Sequence, residues 1–132
     1  MSPDTLELES LGQRVQLALN SADLDSFAAL LAIDVHWGPP EGSDADCHSR
    51  AEVLEWWSRS RRAGARASVI EVVPGAGALL VGLNVSGTTA AEHQGGETQR
   101  WQVLAVESGL IVDICGFDNR NDAALRAGVA NR

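Results

Sequence analysis

TQRWQVLAVESGLIVDICGF, running from Thr98 to Phe117, decides how the rest of the chain is read. Apolar residues recur with a period of two on both sides of Ser108-Gly109. The segment therefore reads as two strands, Thr98–Glu107 and Leu110–Phe117, folded back on each other through a tight hairpin turn. Moving towards the N-terminus, Thr88 to Glu97 is a polar loop. Ala78 to Gly87 and Arg66 to Val73 are two further strands around the turn Pro74-Gly75-Ala76-Gly77. Strands joined in sequence by short turns imply an antiparallel sheet.

Upstream of Arg66 the period changes. Leu8, Leu11, Val15 and Ala18 form one apolar stripe at helical spacing beneath Glu7, Glu9, Gln13 and Arg14. Pro3 and Asp4 suit the start of that helix, and Asn20-Ser21 break it. Asp23 caps a short second helix with Phe27, Leu30 and Leu31 on its buried side. Ile33 to Gly38 alternates as a strand ended by Pro39 and Pro40, and Glu41 to His48 is turn-like. Ser49-Arg50-Ala51-Glu52 matches a capping box, opening a third helix that stops near Gly64. A short, frayed helix over Asp122–Ala127 ends the chain. Helices segregated from a run of strands make the fold α+β, with the helices on one face of the sheet.

The chain has 132 residues, 45% hydrophobic and 21% charged, which fits one globular domain spanning 1–132. A net charge of −8 disfavours nucleic acid and anionic membrane surfaces as partners. No stretch reaches the roughly 20 apolar residues that span a bilayer, and the acidic start lacks the features of a secretory signal. The expected location is the cytoplasm. Cys47 and Cys115 then read as two reduced thiols, the alternative being a disulfide. They make no metal-like spacing with His36, His48 or His93, so no metal site is expected. There is no phosphate-binding glycine loop followed by a helix, no nucleophile elbow and no zinc-protease motif, and no cofactor is expected.

Three motifs in this order resemble the nuclear-transport-factor-2-like superfamily, which includes SnoaL-like polyketide cyclases, ketosteroid isomerase and limonene-epoxide hydrolase. They are FAALLAIDVHWGPP (Phe27 to Pro40), Ser49-Arg50-Ala51-Glu52-Val53-Leu54, and ESGLIVDI with Phe117-Asp118 (from Glu107). The resemblance covers roughly Leu6 to Gly128. It implies a cystatin-like cone, three N-terminal helices packed on a strongly curved antiparallel sheet in the order α-α-β-α-β-β-β-β, with a pocket between the layers. It also implies a homodimer through the outer sheet face, where Trp101, His36, Val103 and Cys115 would lie.

The family's acids do not carry over. The isomerases' proton-abstracting Asp falls on Pro39 and their oxyanion-stabilising Asp on Gln102. The epoxide hydrolases' essential Asp falls on Gly116. In the register the resemblance implies, Val35 and Trp37, Arg100, Gln102 and Leu104, and Ile114, Gly116 and Asp118 face the cavity. Asp118 is the acid–base candidate if desolvation at the rim raises its pKa; otherwise it caps the tail or pairs with Arg120. Arg100 and Gln102 are donors for a ligand's carbonyl or enolate oxygen, or else a cross-strand pair at a solvated edge. An Arg facing an apolar cavity needs a carboxylate, and Asp118 or Asp113 could supply it.

Trp37 and Trp56 offer flat surfaces to an aromatic ligand. Trp56 and Trp57 diverge by about 100° on a helix, so one packs in the core and the other covers the mouth or a subunit contact. Asn84 is a ligand contact if it faces inward and merely solvated if it faces out. Arg59, Arg61, Arg62 and Arg66 read as a solvated helix end favouring the negative end of the dipole, not as an anion site. Two functions follow: a cofactor-independent cyclase or isomerase acting on a hydrophobic carbonyl-bearing substrate, or a non-catalytic small-ligand-binding or dimerisation module.

Overall fold

Ser108 and Gly109 both adopt positive φ, 53° and 80°, the geometry whose twist suits a two-residue hairpin. They join β4 (Glu97–Glu107) to β5 (Leu110–Phe117). The structure, a computed structural model, describes residues 5–38, 47–88, 92–93 and 95–129. Ahead of the hairpin come α1 (Thr5–Asn20), α2 (Leu24–Ala28), β1 (Leu31–Gly38), α3 (Arg50–Arg62), β2 (Arg66–Pro74) and β3 (Ala78–Ser86); α4 (Arg120–Ala127) follows it. Pro3, Asp4, Pro39, Pro40 and most of the expected turn at 41–48 lie outside the described residues.

The strands form one curved five-stranded sheet in the order β1-β5-β4-β3-β2. Pairing from β2 through β5 is antiparallel, as the turns dictate. β1 corrects the all-antiparallel expectation: it lies parallel to β5, with Trp37 opposite Ile114, so the sheet is mixed. The cause is the connection. Helix α3 carries the chain from β1 to the far edge strand β2, and the sheet then folds back strand by strand until β5 meets β1.

The α1 stripe of Leu8, Leu11, Val15 and Ala18 is buried against the inner sheet face, where Val35, Leu79, Val81, Leu104 and Ile114 complete one core. Each buried Leu or Val contributes about 1.5–3 kcal/mol relative to exposure. Asn20, the residue that ends α1, accepts a 2.8 Å hydrogen bond from the Val69 N–H of edge strand β2. At α3 the capping box is shifted by one residue on one arm. Ser49 Oγ accepts from the Glu52 N–H (3.2 Å), whereas Glu52 accepts from the His48 N–H (2.7 Å) instead of that of Ser49.

The outer face carries a second core that the sequence reading lacked. Helix α4 starts at Arg120, two residues before the expected start, and is capped at both ends. The Asn119 side-chain Oδ1 accepts from the Asp122 N–H, and Gly128 takes φ 74° beyond the C-terminus. Ala123, Ala124 and Ala127 bury against Leu80, Trp101, Val103 and Cys115. The face expected to carry a homodimer is thus covered, at these residues, by the chain's own last helix. Arg120 extends over the Trp101 ring, 6.0 Å from its centroid, and bonds both Glu71 oxygens at 2.7 and 3.1 Å. This pair with Glu71 raises the Arg120 pKa and ties α4 to β2. Both cysteines are buried thiols.

Candidate ligand pocket

Alternation along the strands decides which side chains can reach the hollow between the sheet and α2–α3. On β4 the buried Leu104 belongs to the inner core and Trp101 and Val103 to the outer one, so Gln102 and Arg100 share the inner face with Leu104. On β5 the same logic turns Gly116 inward beside Gln102, its cross-strand partner. On β1 it turns Trp37 inward. These four residues line a cavity of about 430 Å³, within the size range of small-molecule sites.

Aromatic rings form its helical wall. Trp37 and Trp56 meet edge to face with centroids 4.6 Å apart, and Phe27 and Trp57 do so at 5.0 Å. Trp57 packs on the inner core while Trp56 is 42% exposed. The two neighbours on α3 therefore divide as their angular separation requires: one anchors, the other roofs the opening. Leu83 and Val85 of β3 supply the apolar floor. Beside Gly116 an added Cβ would meet only Arg100 Nη2, at 3.6 Å. The missing side chain leaves room beneath the Arg100 guanidinium.

Asp118 ion-pairs with Arg100, one of the two partners expected for it. Its carboxylate does not line the cavity and its side chain is 87% exposed. The burial that would make it a desolvated acid is absent, and the tail is capped by Asn119 instead. Asn84 pairs with Gln99 and Ser68 on the outer side of the sheet and is corrected from ligand contact to outer-face residue; it alternates with the inward Leu83 and Val85. Ile114 is inward but fully packed in the core beneath the cavity.

Several lining residues escaped the sequence reading, the arginines of the α3–β2 junction among them. Arg61 and Arg66 border the cavity with Arg100. Arg66 donates from Nη1 to the carbonyl oxygens of Arg61 (3.0 Å) and Ala65 (2.7 Å), closing the C-terminal end of α3. The register brings the start of β2 and the start of β4 to the same end of the sheet, Ala67 and Thr98 both facing Val85. Only that pairing puts the α3–β2 arginines beside Arg100. Among the described residues the lining includes no carboxylate and no histidine. His36 instead stacks edge to face on His48 at 5.9 Å. No group of three His, Cys, Asp or Glu among the described residues could hold a metal. None of the described helices is long and apolar enough to cross a membrane.

Known structures share this architecture. A ketosteroid-isomerase-like protein of Kribbella flavida superposes with a TM-score of 0.71 at 22% identity, over 89% of this chain and 81% of that one. A polyketide-cyclase-like protein of Sinorhizobium meliloti gives 0.66 at 19% identity, over 87% and 100%. An epoxide hydrolase of Mycobacterium tuberculosis, of the limonene-epoxide-hydrolase type, gives 0.64 at 17% identity, over 96% and 91%. At such identities these likenesses establish the fold alone. No curated protein matches the chain. The SnoaL-like domain model matches residues 13–114, most of the chain, and the protein belongs to the SnoaL-like domain family of the nuclear-transport-factor-2-like superfamily.

Proposed function

We infer that this chain, working as one domain, binds a hydrophobic, carbonyl-bearing small molecule between its sheet and helices. One observation carries the reading. Arg100 and Gln102 project from the same face of β4 into a cavity whose other walls include Trp37, Trp56, Trp57, Leu83 and Val85. Two donors in an apolar surround hold an oxygen, and the rings hold a flat carbon skeleton. Among the described residues nothing hydrogen-bonds the Gln102 amide, so its N–H groups are available to a ligand. The test is titration with 2-acetylnaphthalene. Saturable quenching of tryptophan fluorescence, weakened about tenfold (~1.4 kcal/mol) by Gln102→Leu, supports the site. Linear, non-saturating quenching removes it.

Cofactor-independent proton transfer on such a ligand is the second reading, favoured by the contact of Asp118 with Arg100. Asp118 would exchange the proton from the rim while Arg100 and Gln102 polarise the oxygen. Asp118→Asn should then abolish isomerisation of a hydrophobic ketone while leaving fluorescence quenching intact. Undiminished conversion would exclude Asp118 as the base.

A further inference from the structure

We propose that the natural ligand of this pocket is an amphipathic anion, a hydrophobic acid whose carboxylate meets the arginines at the mouth. The inference rests on the binding reading above and specifies its ligand class. Three arginines, Arg61, Arg66 and Arg100, border a single cavity of about 430 Å³, and no carboxylate among the described residues shares that lining. This occurs in a chain of net charge −8. A surface drawn at random from such a composition would be acidic, so the concentration of cations at one opening is the feature to explain.

A structural role accounts for only part of it. Arg66 donates to the Arg61 and Ala65 carbonyls at the end of α3. Those partners are neutral, and no ion pair among the described residues engages Arg66. No ion pair among the described residues engages Arg61. Arg100 does have a counterion, Asp118, but that carboxylate is 87% exposed and the Arg100 side chain 43%. An exposed pair of this kind contributes little and opens readily. The carboxylate of a ligand seated on Trp37 and Trp56 can take the place of Asp118 on the guanidinium, with two parallel N–H···O bonds in a drier setting. Asp118 thus acts as a placeholder for the ligand's charge. Screening over about 8 Å at physiological salt keeps the distant acidic surface from cancelling this local field.

The experiment compares naphthalene-2-carboxylate with 2-acetylnaphthalene, nearly the same shape with and without the charge, by calorimetry on the intact chain at 20 and 300 mM salt. The carboxylate is expected to bind at least about tenfold tighter at low salt and to lose most of that advantage at high salt. Arg61→Met should reduce the preference, and Asp118→Asn should strengthen the carboxylate two- to tenfold (about 0.4–1.4 kcal/mol), more than it strengthens the ketone. Equal binding of both probes, or an advantage indifferent to salt, overturns the anion and leaves the pocket standing. Failure of both to bind overturns the pocket and the anion with it. The wild-type comparison decides even if a variant misfolds.

Discussion

At Gly82 the outer face of β3 carries the Trp101 indole in the space where a side chain would stand; a Cβ would lie 2.8 Å from Cε3 and 3.0 Å from Cη2. The ring is packed beneath Ala123, Ala124 and Ala127 of α4 with Arg120 over it, so it cannot simply swing away. Gly82→Ala is expected to cost about 1–3 kcal/mol, read as a Tm fall of roughly 3–12 °C. Gly116 makes the opposite case. Its Cβ would be in ordinary contact, so Gly116→Ala should melt like wild type. Gly116→Leu should fold and yet weaken 2-acetylnaphthalene about tenfold by filling the pocket (~1.4 kcal/mol). Asp23 carries a pH signature. The Ser26 hydroxyl and N–H both donate to its carboxylate and hold its pKa below the ordinary 3.8. A depressed pKa contributes stability above 3.8 that is lost as pH falls through the lower folded value. Asp23→Asn should therefore flatten that part of the acid limb in thermal melts taken below pH 4.

Among the elements, helix ends and turns were the most legible. Ser108-Gly109, the Asp23 cap and the Ser49 cap are local chemistry, set by residues within four positions of each other. Ser49→Ala is expected to cost about 1 kcal/mol through loss of the Glu52 N–H acceptor, measured by denaturant titration. Helix α4 was legible in existence and not in consequence. Asn119, Gly128 and the small residues Ala123, Ala124 and Ala127 are all visible in the sequence. A short Ala-rich segment has too little apolar area to be stable alone, which is why it read as frayed. Its order comes from the sheet: the Ala76 N–H donates to Ala127 O at 2.8 Å, and Gly75 and Gly128 let the 74–77 turn close on its end. Arg120→Met, which removes the link to Glu71, should speed amide exchange across α4 while leaving β3 and β4 protected.

For the whole molecule, α4 makes the outer face of the sheet an interior. Leu80, Trp101, Val103 and Cys115 are buried beneath it. Ending the chain after Phe117 should expose that apolar patch, and sedimentation velocity should show self-association beyond that of the full chain; a truncated chain that associates no further would contradict the covering role. Local signals in the chain set the order of elements and the hairpins, whereas the inward face of β4 and the meeting of Trp37, Arg100, Gln102 and Gly116 on one cavity were what the family resemblance implied. Period and turn chemistry are local, and a two-residue alternation fixes a strand's faces once one buried residue is known. Only the tertiary structure decided that β1 runs parallel to β5, that Asn84 faces outward, that Asp118 stands in solvent against Arg100, and that Arg61 and Arg66 join the pocket. Each of those depends on which distant segment packs alongside, a choice made by burying surface across the whole fold and carried by no short stretch of chain.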